Sequence, residues 1–183
     1  IRTTEPRHIE ACQLLWREVE RRGYLVRGRY EGWYNTRDEA YMTEEELAAA
    51  GLSTDDPYIR WMQEDCFYFR LSAFQERIEA LFAQPDYCLP EFRAREMTGS
   101  FLRPGLKDVS TSRTTIHWGI PVPGEDKHVF YVWFDALTTY MSAVEGEGLW
   151  PADLHLIGKE ILRFHAVYWP AFLMAADWPL PKK

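Results

Sequence analysis

Cysteine is scarce in this sequence. Cys12, Cys66 and Cys88 are the only three in 183 residues. They are odd in number and widely spaced, which excludes a disulfide framework and a paired-thiol metal site; reduced thiols in a cytoplasmic protein are the expectation. Long apolar runs are missing too. Nothing approaches the roughly 20 residues that span a bilayer, and no signal peptide opens the chain, so no membrane partner is expected. Positive charge is in short supply: 21 Lys and Arg stand against 28 Asp and Glu, a formal net charge of -7. That balance disfavours non-specific nucleic-acid binding, which needs clustered cations; any tRNA contacts are expected mostly elsewhere. There is no P-loop, Gly-x-Gly-x-x-Gly, Ser-centred nucleophile elbow, internal repeat or low-complexity stretch.

What is present is apolar and aromatic. Hydrophobic residues make up 46 % of the chain and aromatics 15 %, including eight tryptophans, enough to bury a real core. Thr4-Glu5-Pro6 reads as a helix start, with Ile9, Cys12, Leu15, Trp16 and Val19 as its apolar stripe and Gly23 as its stop. Tyr24 to Tyr34 predicts short strands and a hairpin. Thr43 to Glu46 is a capping box for a short helix, and Cys66 to Arg70 a strand. Ser72 is the expected cap of a helix through Phe82, and a second helix covers Glu91 to about Phe101, ended by Pro104-Gly105. The prolines and glycines of Trp118 to Gly124 exclude helix there. The chain opens at Ile1 and stops at Lys183 abruptly, as if cut from something longer.

Val129 to Trp133 is a nearly continuous apolar run, suited to a strand covered on both faces. A helix then runs from Asp135 to about Val144. Leu154 to Gly158 is a second short strand, and Lys159 to Ala176 a long helix with Pro170 as a potential bend. Strand–helix–strand–helix predicts part of a doubly wound, Rossmann-like parallel α/β sheet, whose ligands bind beyond the carboxyl ends of the strands. Trp133, Ala136, Leu137 and Tyr140 would flank one such end, with Glu160, Ile161 and His165 at the next. Together they would form an aromatic slot suited to a thioether, since sulfur–aromatic contacts contribute about 0.3–1.5 kcal/mol each. From spacing alone, an ordinary core role for Trp133 and Tyr140 is the stronger reading. His155, Glu160 and His165 match no metal-ligand spacing. Lys159 and Glu160 open a helix, where phosphate or ribose groups often bind, although on spacing alone a solvated helix start is the stronger reading.

Read in order, several segments resemble methionyl-tRNA synthetases of class I: Tyr30-Glu31-Gly32-Trp33-Tyr34, Phe67-Tyr68-Phe69-Arg70-Leu71-Ser72, Ser112-Arg113, Trp118 to Gly124, Tyr131 to Leu137, His155 to His165, and Tyr168-Trp169-Pro170-Ala171. The resemblance covers nearly the whole chain. It implies a catalytic-domain helix over residues 1–23, a connective insertion over 24–74, a helical stem over 75–103 and the second half of a Rossmann-like domain over 104–183. Trp133, Ala136, Leu137, Tyr140, Ile161 and His165 fall on positions that line the family's methionine pocket, with Tyr140 and His165 near the sulfur. Arg113 matches an arginine that supports the carboxylate site through a salt bridge, its usual acidic partner expected upstream of Ile1. Glu160 stands where the family commonly has Asp near the nucleotide ribose, with Lys159 beside it. ATP with Mg would be a substrate of the intact enzyme, and tRNA its acceptor. The family's ATP-activating signatures are expected before Ile1 and after Lys183, so this piece alone is expected to be inactive; the alternative reading is a stand-alone methionine-binding or interaction module without ligase activity. Many relatives place zinc-binding cysteines just after the Glu-Gly-Trp-Tyr segment; Asn35 and Asp38 stand there instead, so no structural zinc is expected. An exposed sheet edge would favour self-association of the piece.

Overall fold

The computed structural model describes residues 1–37 and 40–183. Asp38, one of the two positions expected to lack a zinc ligand, lies outside the described residues. Helix α1 (Pro6–Arg21) opens on proline and carries Cys12, Leu15, Trp16 and Val19 on one fully buried stripe, as the three- and four-residue spacing requires. The Thr4 cap is not made. Glu5 is the N-cap, without a side-chain capping bond. Its carboxylate instead accepts from the Arg2 N–H at 2.8 Å. Gly23 ends the helix with φ +79°, a conformation glycine adopts without steric cost.

The segment read as short strands with a hairpin is one long strand. β1 (Leu25–Asn35) pairs along its full length with β3 (Ile59–Phe69), from Leu25 opposite Phe69 to Asn35 opposite Ile59. Alternation around glycines had suggested a local turn, yet Gly28 sits in mid-strand. A Cβ there would meet the Tyr68 ring at 2.8 Å, so the glycine makes room for an aromatic neighbour. β2 (Ala40–Met42) and β4 (Val109–Ser110) complete an antiparallel sheet of order β2-β1-β3-β4. Helix α2 (Glu44–Ala49) begins at the expected capping box: Thr43 Oγ1 accepts from the Glu46 N–H at 3.2 Å, and the Glu46 carboxylate from the Thr43 N–H at 2.8 Å.

Helix α3 (Gln75–Phe82) follows a 3-10 turn, Leu71–Phe74. Ser72 lies inside that turn and does not cap. Its hydroxyl donates to Asp108 at 2.6 Å, tying the turn to the segment before β4. Helix α4 (Glu91–Met97) runs on as a π turn to Leu102, and Pro104-Gly105 closes it as expected.

The expected parallel sheet is not what these residues form. β5 (Ser112–Arg113), β6 (Pro121–Val122) and β7 (Glu125–Phe130) make a second antiparallel sheet of order β5-β7-β6, and every strand pairing among the described residues is antiparallel. The apolar run at Val129 to Trp133 splits. Its first two residues end β7, while Val132, 60 % exposed, starts helix α5 (Val132–Ser142). Glu125, Asp126 and Lys127 precede the run, so β7 is wetted along part of its length rather than covered on both faces. Leu154 to Gly158 forms no regular strand; Leu154 is 62 % and Leu156 93 % exposed. Two backbone bonds, Lys182 N–H to the Ala152 carbonyl and His155 N–H to the Lys183 carbonyl, join it to a segment advancing in the same direction. The fold is therefore α/β with small antiparallel sheets.

The long helix from Lys159 is present but irregular: a 3-10 turn (Lys159–Ile161), a π turn (Phe164–Tyr168) and then α6 (Trp169–Ala176). The core lies where α1, α5 and α6 meet β3 and β7. Trp16 is its centre, with ring centroids 5.3 Å from Phe67, 5.1 Å from Phe130 and 5.5 Å from Phe134. Burying a side chain of this kind contributes about 3 kcal/mol, and this packing fixes α5 on the rest of the fold.

Candidate functional site

Helix α5 has two faces. Phe134, Leu137 and Thr138 point into the core and are fully buried. Trp133, Ala136 and Tyr140, at three- and four-residue steps, share the neighbouring half-buried face. Of the residues expected to line a slot, Leu137 is thus placed in the hydrophobic core.

The opposite wall comes from the π turn, and Pro170 explains its local chemistry. Proline has no N–H to give the carbonyl four residues back. The Ala166 carbonyl takes the Tyr87 hydroxyl instead, at 2.9 Å, while the Trp169 N–H reaches back to Phe164. This widened turn carries Phe164 and His165 toward α5. The irregularity expected at Pro170 is realised in the turn before it.

His165 joins the two walls. Its Nδ1 lies 2.9 Å from the Ile161 carbonyl, which can only accept, so Nδ1 carries the proton. Nε2 then accepts from the Tyr140 hydroxyl at 2.7 Å. This requires the neutral ring, and burial does hold its pKa below the ordinary value, against the opposing pull of the Ile161 carbonyl. Burial pushes the Tyr140 phenol up, keeping it protonated as donor. Trp133 stacks on Phe164 at 3.8 Å with planes 8° apart, and meets His165 edge-on at 6.1 Å. His155, which sequence spacing dismissed as a metal ligand, is part of this cluster: 4.3 Å from Tyr140 and 6.0 Å from His165 between ring centroids. Its pKa is lowered by burial first and by His165 second, and its Nε2 is buried without a hydrogen-bond partner. Trp133, Tyr140, His155, Phe164 and His165 form one aromatic constellation with a single polar axis. Phe164 is brought in by the π turn, and His155 by the irregular segment whose His155 N–H donates to the Lys183 carbonyl at 2.9 Å; neither placement is marked by local spacing.

Arg113 lies apart from the aromatic cluster, beneath the start of α5. Its guanidinium sits 4.3 Å from the Tyr131 ring centroid and donates to Ser110 Oγ at 2.6 Å and the Ser112 carbonyl at 2.8 Å. Its acidic partner was sought upstream of Ile1, yet one lies within the chain. Glu64 on β3 approaches Arg113 Nε at 3.6 Å, and both are buried. Lys159 and Glu160 are exposed at the first helical turn, and Ile161 contributes its carbonyl to His165. A cavity of about 300 Å³ is lined by His165 and His155 with Leu81, Tyr87, Leu89 and Leu180; Trp133, Ala136 and Tyr140 do not line it. Asn35, the other position expected to lack a zinc ligand, is buried and accepts from the Arg37 N–H at 2.9 Å, closing a turn.

One cluster among the described residues has metal-donor chemistry: His8, Cys12 and Asp135. Its atoms are already engaged with each other. His8 Nε2 is 2.7 Å from Asp135 and 3.3 Å from Cys12 Sγ, and burial, then the Asp135 charge, push the Cys12 thiol up to about 12. A protonated thiol is a poor metal ligand.

The family model described as tRNA synthetases class I (M) matches residues 1–53 and 48–183, and the chain belongs to that family. The methionine–tRNA ligase of Rickettsia felis is 50 % identical over 190 residues, and that of Brucella melitensis 48 % over 195; each alignment takes in all of this chain. The chain spans only 37 % and 38 % of those relatives' lengths. A solved Mycobacterium tuberculosis methionyl-tRNA synthetase in complex with methionyl-adenylate superposes with TM-score 0.88 at 44 % identity, over all of this chain and 38 % of that one. No helix among the described residues is long and apolar enough to cross a membrane.

Proposed function

We propose that this chain is the methionine-recognising part of a methionine–tRNA ligase, an enzyme that activates methionine with ATP and transfers it to tRNA. The observation that carries this reading is the Tyr140–His165 hydrogen bond set between the Trp133–Phe164 stack and the His155 ring. An apolar aromatic wall with one fixed polar pair suits a thioether: the rings give polarizable contact, and a hydroxyl bonded to a neutral imidazole offers sulfur no competing charge. The methionyl-adenylate held by the Mycobacterium tuberculosis relative supports the same substrate. In this reading Trp133, Ala136, Tyr140, Ile161 and His165 contact or frame the side chain. Leu137 supports the wall from the core, and Arg113 braces the start of α5 through Tyr131. Lys159 and Glu160, exposed at a helix start, face the nucleotide of MgATP, which enters as substrate. The sheet of β1 to β4 belongs to a connective insertion spanning residues 24–74, residues 75–103 form its stem, and residues 1–23 and 104–183 belong to the Rossmann-like catalytic domain. Cytoplasmic translation is the setting this implies.

The test is isothermal titration of the chain with methionine beside its Trp133→Ala variant. Saturable heat that disappears in the variant is expected. Equal heat in both would overturn the assignment of the aromatic wall, and no heat up to millimolar methionine would overturn recognition by this chain.

A further inference from the structure

His8 is fully buried on α1, and both of its ring nitrogens are committed to α5. Nδ1 lies 2.7 Å from Ser142 Oγ and Nε2 lies 2.7 Å from Asp135 Oδ1. A carboxylate only accepts, so Nε2 carries the proton and Nδ1 accepts from the Ser142 hydroxyl. Asp135 and Ser142 are two helical turns apart and share a face. One imidazole therefore grips the first and last turns of α5 and resists both sliding along the helix axis and rotation about it. The opposite side of the same helix carries Trp133 and Tyr140. Cys12, one turn on from His8, places its Sγ 3.3 Å from the same Nε2 that faces Asp135.

We infer that His8 is a positioning residue: it sets the axial placement of α5 and thereby the distance of Tyr140 from His165 and of Trp133 from Phe164. The inference rests on the methionine reading for its consequence, and on the α1–α5 geometry alone for its mechanism. The connection is physical. The Tyr140–His165 bond spans 2.7 Å between elements with no covalent neighbourhood, so a displacement of α5 by about 1 Å takes it out of hydrogen-bonding range.

The experiment makes two measurements on the full chain and on its His8→Ala and His8→Gln variants. One is the ratio of dissociation constants for norleucine and methionine, which differ by a methylene in place of sulfur. The other is the 15N resonance of His165 Nε2 without ligand. In His8→Ala the preference for methionine is expected to fall about fivefold, the scale of one sulfur–aromatic contact, and the Nε2 resonance to move toward an unbonded value. His8→Gln, whose amide N–H can still meet Asp135, is expected to recover most of both. A residue that only supported the fold would weaken both ligands by one factor, through the unfolded fraction, and leave the His165 resonance in place; that result overturns the proposal. If the parent chain binds neither amino acid, the methionine reading fails separately, and the resonance decides alone: shifted, it upholds the positioning role; unshifted, it removes it. Should His8→Ala not fold, Ser142→Ala carries the same two readouts.

Discussion

Tyr140 donates its hydroxyl proton to His165 Nε2 across 2.7 Å, linking α5 to the π turn through one bond. Because the other ring nitrogen is held by the Ile161 carbonyl, the ring has one tautomer and one orientation. Tyr140→Phe removes the donor and leaves the ring otherwise untouched. A stability loss of about 1 kcal/mol is expected from denaturant unfolding. The donor favours the neutral ring, so its loss should raise the His165 pKa, a shift that histidine-ring NMR titration reads directly. An unchanged pKa would show that the hydroxyl does not govern the ring.

Acid should destabilise the chain through its histidines. His128, His155 and His165 all have pKa values lowered by burial. For such a group the unfolded state binds the proton more readily. The stability it contributes is fully present above the unfolded value, near 6.5, and is lost as pH falls through the folded value. Urea midpoints should therefore be flat from about pH 8 to 7 and decline below about 6.5. Methionine affinity should fall in the same direction once His165 protonates and can no longer accept from Tyr140. Midpoints that stay level down to pH 5 would contradict this.

The Arg113–Glu64 pair is buried between β3 and β5. Glu64 also accepts from the Thr114 N–H at 3.0 Å and the Thr115 hydroxyl at 3.1 Å, so it orders the loop after β5 as well. Glu64→Gln keeps the size and removes the charge opposite Arg113. Breaking a buried pair from one side is expected to cost about 3 kcal/mol in urea unfolding. A cost below about 1 kcal/mol would mean the guanidinium is already satisfied by Ser110 and Ser112.

The elements legible in the sequence are those whose partners are local. The α1 stripe, the Thr43 capping box and the Pro104-Gly105 stop depend on residues three or four positions apart, and each is in place. What was not legible depends on distance. β1 reads as a broken hairpin because its partner, β3, begins 24 residues after it ends, and nothing within the strand specifies that pairing. Val129 to Trp133 reads as one strand because apolarity alone does not mark where a strand yields to a helix. At the site, Trp133, Tyr140 and His165 were named, and the structure joins them. Phe164 and His155 were not: the π turn that delivers Phe164 involves a hydroxyl 79 residues away from the carbonyl it satisfies, and His155 is held by a backbone bond to Lys183. His8 escaped for the same reason: its partners lie 127 and 134 residues along the chain.

The π turn itself offers the sharpest check on how Pro170 shapes the site. With proline at 170, the Ala166 carbonyl depends on Tyr87, and Tyr87→Phe leaves it buried without that donor, a loss of about 1–3 kcal/mol. In a Pro170→Ala background, residue 170 regains an N–H four positions beyond Ala166, so the carbonyl has a backbone donor within reach. Tyr87→Phe should then cost much less. A double-mutant cycle is expected to show coupling of at least about 1 kcal/mol between Tyr87 and Pro170 through that carbonyl. The Pro170→Ala chain should also tighten toward regular helix, rotating His165 away from Tyr140 and weakening methionine binding even where overall stability rises. Additive costs with unaltered binding would mean that packing of Phe164 against Trp133, rather than proline, holds the turn open.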